Sequence, residues 1–137
     1  AITRMMNLQV EPYLVAATVR GILAQRLVRK TCPHCRSAYQ PDDNIRSVLG
    51  MSGATDSLWR GTGCPKCRET GFSGRLGIFE LLNPDELFLE AVGRCASISE
   101  LREHALASGM VPLREDGFAK AIEGLTTVEE VLNAARS

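Results

Sequence analysis

The sequence predicts an α+β fold that is mostly helical, with a small two-stranded β unit whose connection is greatly expanded. Three observations carry this. The stretches "QRLVRK" (25–30) and "GRLGIFELL" (74–82) have the length and apolar patterning of short strands. The 43 residues between them, 31–73, open with "TCPHC" and close just after "CPKC". From Asn83 onward, capping signatures followed by helically spaced apolar residues recur along the chain.

Taken in order, Glu11-Pro12 followed by "YLVAATVRGIL" reads as a helix with Pro12 in its first turn. Tyr13, Leu14, Ala16, Ala17, Val19, Ile22 and Leu23 occupy most of its circumference, which predicts burial on most sides. In the returning strand, Leu76 and Ile78 point one way, and Gly77, Phe79 and Leu81 the other. Inside the excursion, Asp42 to Leu49 reads as a short helix capped by Asp42 or Asp43, and Gly50, Ser52 and Gly53 as a loop. Asn83-Pro84-Asp85-Glu86 predicts a capped helix with Leu87, Phe88, Ala91 and Val92 on one face and Gly93 as its end. Ser97-Ile98-Ser99-Glu100 opens another, with Ile98, Leu101 and Ala105 inward and Gly109 as its stop. Pro112 starts a third, carrying Leu113, Phe118, Ala121 and Ile122 as far as Gly124. Thr127-Val128-Glu129-Glu130 opens the last, with Val128, Val131, Leu132 and Ala135 at helical spacing.

The chain has 137 residues and no net charge. The charge is nevertheless polarised. Residues 1–75 carry eleven Lys and Arg against five Asp and Glu, a surplus of six, and residues 76–137 carry the reverse. Such halves can attract each other or meet between copies. No secretory signal opens the chain, and its longest apolar run, "YLVAATV" (13–19), is far short of the roughly 18–20 residues of a membrane helix. These features predict a soluble chain without membrane insertion. "AITRMMNLQVEP" begins inside an apolar pattern without an initiator Met, which leads us to expect a fragment of something longer.

Five cysteines without a signal sequence point to a reducing compartment and to metal or free thiols. Cys32, Cys35, Cys64 and Cys67 form C-x2-C-x28-C-x2-C. Two residues between cysteines let one turn present both sulfurs to one ion, and two such turns complete a tetrahedron of thiolates. "CPHC" alone would equally suit a thiol oxidoreductase, in which one low-pKa thiolate attacks a disulfide. That chemistry uses a single pair at a helix N-terminus, whereas here there are two pairs and "RSAYQPDD" follows the first. The four cysteines are therefore read as structural Zn2+ ligands, a set that leaves no open coordination position for catalysis. Arg29, Lys30, Arg36, Lys66 and Arg68 lie near both pairs in sequence, where they could offset the negative charge of a four-thiolate site. His34 is read as a solvent-facing spacer, Cys95 as a small buried thiol, and His104 as surface. Tyr39, Trp59 and Phe72 are too scattered, and the basic residues too diluted by acids, for a nucleic-acid partner.

Three stretches, "VEPYLVAATVRGILAQRLVRKTCPHC", "GCPKCRETGFSGRLGIFELL" and "LREHALASGMVPLREDGFAKAIEGLTTVEEVL", resemble in order the C-terminal part of the motor ATPases of type II secretion and type IV pilus assembly. The resemblance covers essentially the whole chain, and the cysteines fall where that family carries its tetracysteine zinc motif. It implies that 1–30 and 74–82 are the end of a RecA-like α/β core, that 31–73 is a zinc-binding insertion between its last strands, and that 83–137 is a C-terminal helical subdomain. It favours the assembly and secretion branch over the pilus retraction motors, which have a short hairpin without the cysteines. The implied parent is a cytoplasmic hexameric ATPase, held at the inner membrane through platform components, whose partners include the other subunits of its ring. ATP and Mg2+ belong to that parent: no G-x-x-x-x-G-K-[ST] phosphate loop occurs in this chain, and no catalytic residue is assigned. Arg26 and Arg29 are read as strand-edge or zinc-site arginines instead of phosphate sensors. The alternatives from other classes are a stand-alone zinc-ribbon adaptor and a CxxC thiol oxidoreductase. Because the excursion has few large apolar residues, metal should supply much of its folding free energy. Cys64→Ser is then expected to disorder 31–73 and leave the helices of 83–136 folded.

Overall fold

The helices that start at Asp43, Glu86, Ile98 and Val128 are set by short polar residues whose side chains accept an otherwise unpaired backbone N–H. The computed structural model describes residues 2–50 and 57–135. In chain order the elements are α1 (Ile2–Asn7), α2 (Pro12–Thr18), β1 (Ile22–Thr31), β2 (Arg36–Tyr39), α3 (Asp43–Leu49), β3 (Leu58–Gly61), a 3-10 turn (Pro65–Cys67), β4 (Phe72–Leu82), α4 (Glu86–Gly93), α5 (Ile98–Ala107), α6 (Leu113–Ile122) and α7 (Val128–Ala135). Asp42 caps α3 by accepting from Ile45 N at 2.8 Å, and Ser97 caps α5 by accepting from Glu100 N at 3.2 Å. Strand β1 pairs with β4, and β2 pairs antiparallel with β3 in the register Arg36 to Gly61 and Tyr39 to Leu58.

The fold is α+β, as read from the sequence, and several local expectations are corrected. The helix expected from Pro12 to Leu23 stops at Thr18. Val19 is already extended, and Ile22 and Leu23 open β1, which is longer than the predicted 25–30. The β-branched Val19 and Ile22 and the intervening Gly21 all favour that change. Burial on most sides of this stretch is not found: Val15 is buried, but Tyr13, Leu14 and Leu23 are exposed. Strands β2 and β3 lack a sequence signal, since each has only four residues and no clean alternation. The N-cap of α4 is Asp85, accepting from Phe88 N at 2.8 Å, so Asn83 and Pro84 lie outside the helix. Ile98, expected inward, is exposed beside the buried Leu101 and Ala105, and Ile122 is likewise exposed. Ser52 and Gly53, expected in a loop, lie outside the described residues.

The chain divides into two compact units. The first comprises residues 1–24 and 80–112, with Ile2, Val15, Leu82, Phe88, Ala91, Val92, Leu101 and Ala105 as its core. The second comprises residues 25–79 and 113–137, with Val28, Leu58, Ile78, Phe118, Ala121, Val128 and Val131 as its core. The last four helices are thus shared, α4 and α5 packing in the first core and α6 and α7 in the second. Gly117 makes the α6–α7 contact possible, because a Cβ there would lie 2.5 Å from Val131 Cγ1.

Candidate metal centre

The four cysteines of the C-x2-C-x28-C-x2-C pattern converge in the second unit. One knuckle, Cys32–Cys35, joins β1 to β2, and the other, Cys64–Cys67, joins β3 to β4 across the 3-10 turn. Their four sulfurs all lie within 4.8 Å of one another. The closest approaches are 3.8 Å for Cys32 to Cys64, 3.8 Å for Cys35 to Cys67 and 3.6 Å for Cys64 to Cys67. A zinc ion holding four thiolates at about 2.3 Å sets neighbouring sulfurs about 3.8 Å apart at the corners of a tetrahedron. Donor type, number and spacing therefore fit zinc. Cys32 and Cys67 are buried and Cys35 and Cys64 half-buried.

Backbone N–H groups converge on the sulfurs. Gly63 N donates to Cys35 Sγ at 3.3 Å, and Cys64 N and Gly71 N donate to Cys67 Sγ at 3.3 and 3.2 Å. Gly71 ties the knuckles together, since its carbonyl also accepts from Cys32 N at 2.9 Å. Its φ of +81° and the close passage of Gly61 leave no room for a side chain: a Cβ on Gly61 would lie 2.2 Å from the Gly71 oxygen. Thr62 closes the other side, its N–H and hydroxyl both donating to the Cys35 carbonyl. These contacts make the sulfurs unequal. Burial pushes the Cys35 thiol up, opposed by Gly63 N–H and reinforced by the neighbouring sulfurs, to about 11. Burial also opposes ionisation of Cys67, but the N–H groups of Gly71 and Cys64 and the thiols of Cys64 and Cys35 outweigh it and lower Cys67 to about 6.

Two of the basic neighbours, Arg29 and Arg36, are engaged elsewhere. Arg29 binds Glu130 through Nε at 2.8 Å and stacks on Phe72, 4.1 Å from the ring centroid. Arg36 donates to the Gly124 carbonyl at 3.3 Å and stacks on Trp59 at 4.6 Å. The hydrogen-bond donors to the sulfurs are thus backbone N–H groups, and Arg29 and Arg36 make no direct contact with them. Sequence reasoning also missed the turn between α6 and α7, which anchors the base of the first knuckle. Leu125 O accepts from Thr31 N at 2.9 Å, and Thr126 Oγ1 donates to Arg29 O at 2.8 Å. The signal for it is "GLTT" (124–127), polar and glycine-bearing between two helices, which by itself marks only a stop and a cap.

His34 is exposed, in agreement with its reading as a spacer. Cys95 is exposed instead of buried. It follows α4 in the left-handed region, at φ +58°, where its N–H bonds Val92 O and the next residue's N–H bonds Ala91 O. That helix-terminating geometry turns the side chain outward. His104 is partly covered and lies 3.6 Å from Glu100, which also binds Arg94. Among the described residues no helix is long and apolar enough to cross a membrane.

Comparison with known proteins yields a consistent family. Residues 1–133 match the family model described as type II/IV secretion system protein. The chain is 44% identical over 135 residues to the type IV pilus assembly ATPase PilB of Thermus thermophilus, covering 96% of this chain and 15% of that protein. It is 41% identical over 137 residues to the type II secretion system protein E of Pseudomonas aeruginosa, covering 99% and 27%. It is 36% identical over 137 residues to the type II secretion system ATPase E of Vibrio cholerae, again covering 99% and 27%. The chain thus spans 15% to 27% of the length of these relatives.

Proposed function

The chain belongs to the type II/IV secretion system protein family, and from that premise we propose that it serves as the C-terminal part of a hexameric motor ATPase driving type II secretion or type IV pilus assembly. Its match to the family along residues 1–133 carries this reading. In the proposed parent, 1–30 and 74–82 complete a RecA-like core, 31–73 is an inserted zinc-binding segment, and 83–137 forms the C-terminal helical part. Nucleotide chemistry belongs to the rest of the parent. The neighbouring subunits of the ring and inner-membrane platform components are its partners, and its place is the cytoplasmic face of that membrane.

Cys32, Cys35, Cys64 and Cys67 are the proposed zinc ligands. Zinc supplies cross-linking here, not a reactive centre, because four protein ligands fill its tetrahedron. The chain's own contribution is to aim N–H groups at the sulfurs and to tie both knuckles through Gly71. Two measurements test the proposal. Metal analysis of purified chain is expected to return about one zinc per molecule, the stoichiometry of a four-ligand site. A value near zero with four titratable thiols under reducing, chelator-free conditions overturns the zinc assignment. The complete reading frame is expected to encode a P-loop upstream, and a frame without one overturns the motor reading.

A further inference from the structure

The four clustered thiols are not equally placed for oxidation. Cys35 and Cys64 are half-buried, whereas Cys32 and Cys67 are buried, so a small oxidant meets Cys35 or Cys64 first. Buried Cys67 is the sulfur next to both: it lies 3.6 Å from Cys64 and 3.8 Å from Cys35. The backbone N–H groups of Cys64 and Gly71 hold Cys67 Sγ there, at 3.3 and 3.2 Å. The 3.6 Å contact is the shortest of the three close approaches, and the only one of them inside a single turn. Closing it to the roughly 2 Å of a disulfide moves sulfurs within that turn alone. The contacts of Cys32 with Cys64 and of Cys35 with Cys67, both 3.8 Å, span the two knuckles. Bonding either pair drags one turn against the other, and the turns are tied. Cys32 N donates to Gly71 O, and the Thr62 N–H and hydroxyl donate to Cys35 O.

We infer that Cys64 is an oxidative modification site for hydroperoxides, with Cys67 as its resolving thiol, and that the Cys64–Cys67 disulfide releases the metal. The inference rests on the zinc assignment, under which both sulfurs are thiolates. The Cys64 thiolate attacks one peroxide oxygen. An S–O bond forms as the O–O bond breaks, and the departing hydroxide takes a proton to become water. The Cys67 thiolate then attacks the Cys64 sulfur. The S–S bond forms, the S–O bond breaks, and a second hydroxide leaves and is protonated. Two thiolates have lost two electrons in all, and one peroxide with two protons has become two waters.

Two thiolates, Cys32 and Cys35, then remain, too few for the closed tetrahedron of a structural site. Loss of the metal frees 31–73, and with it Leu58, which is buried in one core with Phe118, Ala121, Val128 and Val131. The oxidised chain therefore loosens α6 and α7. The change is confined to the second unit, because the first core contains none of the described residues of 31–73. A reducing thiol pool reverses it: exchange returns the disulfide to two thiols, and zinc rebinds.

Hydrogen peroxide added to the zinc-loaded Cys95→Ser chain, freed of reductant, tests it; that substitution removes the one other thiol, which is exposed. Zinc content is measured first, and a chain without zinc overturns the zinc assignment and the inference together. With zinc bound, about one zinc should be released per peroxide consumed, the two-electron stoichiometry, read with a chromogenic chelator. Alkylation and peptide mass spectrometry should then find Cys64 linked to Cys67, with Cys32 and Cys35 alkylated. Hydrogen exchange in α6 and α7 should quicken, and dithiothreitol with zinc should slow it again. Cys64→His keeps a four-ligand set, since three thiolates and an imidazole also hold zinc. It should lose zinc to peroxide at least about tenfold more slowly. Cys35→His, which keeps both members of the pair, should still release zinc through the Cys64–Cys67 disulfide. Three results overturn the inference and leave the zinc assignment standing: zinc that stays bound under peroxide, a first disulfide other than Cys64–Cys67, or a Cys64→His chain that releases zinc as fast as its parent. Where Cys64→His fails to hold zinc, the disulfide map of the parent chain decides by itself.

Discussion

Removing one zinc ligand should unfold more than the excursion. Leu58 of β3 is buried in the same core as Phe118, Ala121, Val128 and Val131 of α6 and α7. Losing its burial costs about 2 kcal/mol. Tyr39, Ile45 and Leu49 pack on that core when half-buried, at about 1 kcal/mol each. The bonds from Thr31 N to Leu125 O and from Arg36 to Gly124 O add about 1 kcal/mol each. Together the helix pair draws about 7 kcal/mol from residues 31–73, which is comparable to the whole stability of a small domain, about 5–15 kcal/mol. A structural zinc site contributes about 10–16 kcal/mol of apparent binding free energy, so without it the excursion cannot hold its place. In Cys64→Ser, followed by hydrogen exchange with peptide-level mass spectrometry, we expect loss of protection in β2 and β3. We also expect at least a hundredfold faster exchange in α6 and α7, the effect of about 3 kcal/mol. Helices α4 and α5, whose core contains none of the described residues of 31–73, should keep their protection. The sequence reading expected all four helices to survive. Wild-type protection in α6 and α7, with 31–73 exchanging freely, would restore that reading and refute the shared core.

Two further outcomes follow from single contacts. Glu130 accepts from Arg29 N and Nε, both at 2.8 Å, and these bonds, against partial burial, hold its carboxyl below the ordinary 4.5. A depressed folded pKa means that the stability it confers is fully present above about pH 4.5 and is lost as pH falls through the folded value. Glu130→Gln should therefore lower stability at neutral pH by about 1–2 kcal/mol and flatten the acid limb of a urea-denaturation series; an unchanged acid limb would refute the role. Cys95→Gly removes a side chain from a left-handed position, φ +58°, and is expected to raise stability by about 0.5–1 kcal/mol, read as a higher melting temperature. A lowered melting temperature would show that the exposed thiol makes a contact the helix end needs.

How much of this was legible depended on the range of the signal. The caps at Asp42 and Ser97 are local chemistry, a side-chain oxygen three residues ahead of an N–H, and they were read correctly. The metal candidate was legible because two-residue spacing fixes each pair locally and the repeat of the pattern implies their meeting. The partition of the last four helices was not legible. Phe88 and Phe118 both lie on helices with a clear apolar face, yet one belongs to the first core and the other to the second. Apolar spacing tells which face is buried and is silent on what covers it. The 12–23 stretch failed for a related reason: its residues are apolar at both helical and strand periods, and Gly21 with two β-branched neighbours decided the outcome.

The second unit also shows why a metal and a helix turn act on the same short stretch of chain, residues 29–36. β1 ends at Thr31, one residue before the buried Cys32. Its last N–H is taken by Leu125, and the next N–H by Gly71 at the exit of the second knuckle. Zinc can hold the sulfurs together, but it exerts no control over the direction in which the knuckle leaves the strand. The α6–α7 turn and Gly71 set that direction through backbone bonds on consecutive residues. Conversely, those bonds cannot close the excursion, which is 43 residues long. Loop closure over that length costs entropy that a few hydrogen bonds do not offset, and a cross-link does. The two devices are therefore complementary, and a perturbation of either should be felt at the other.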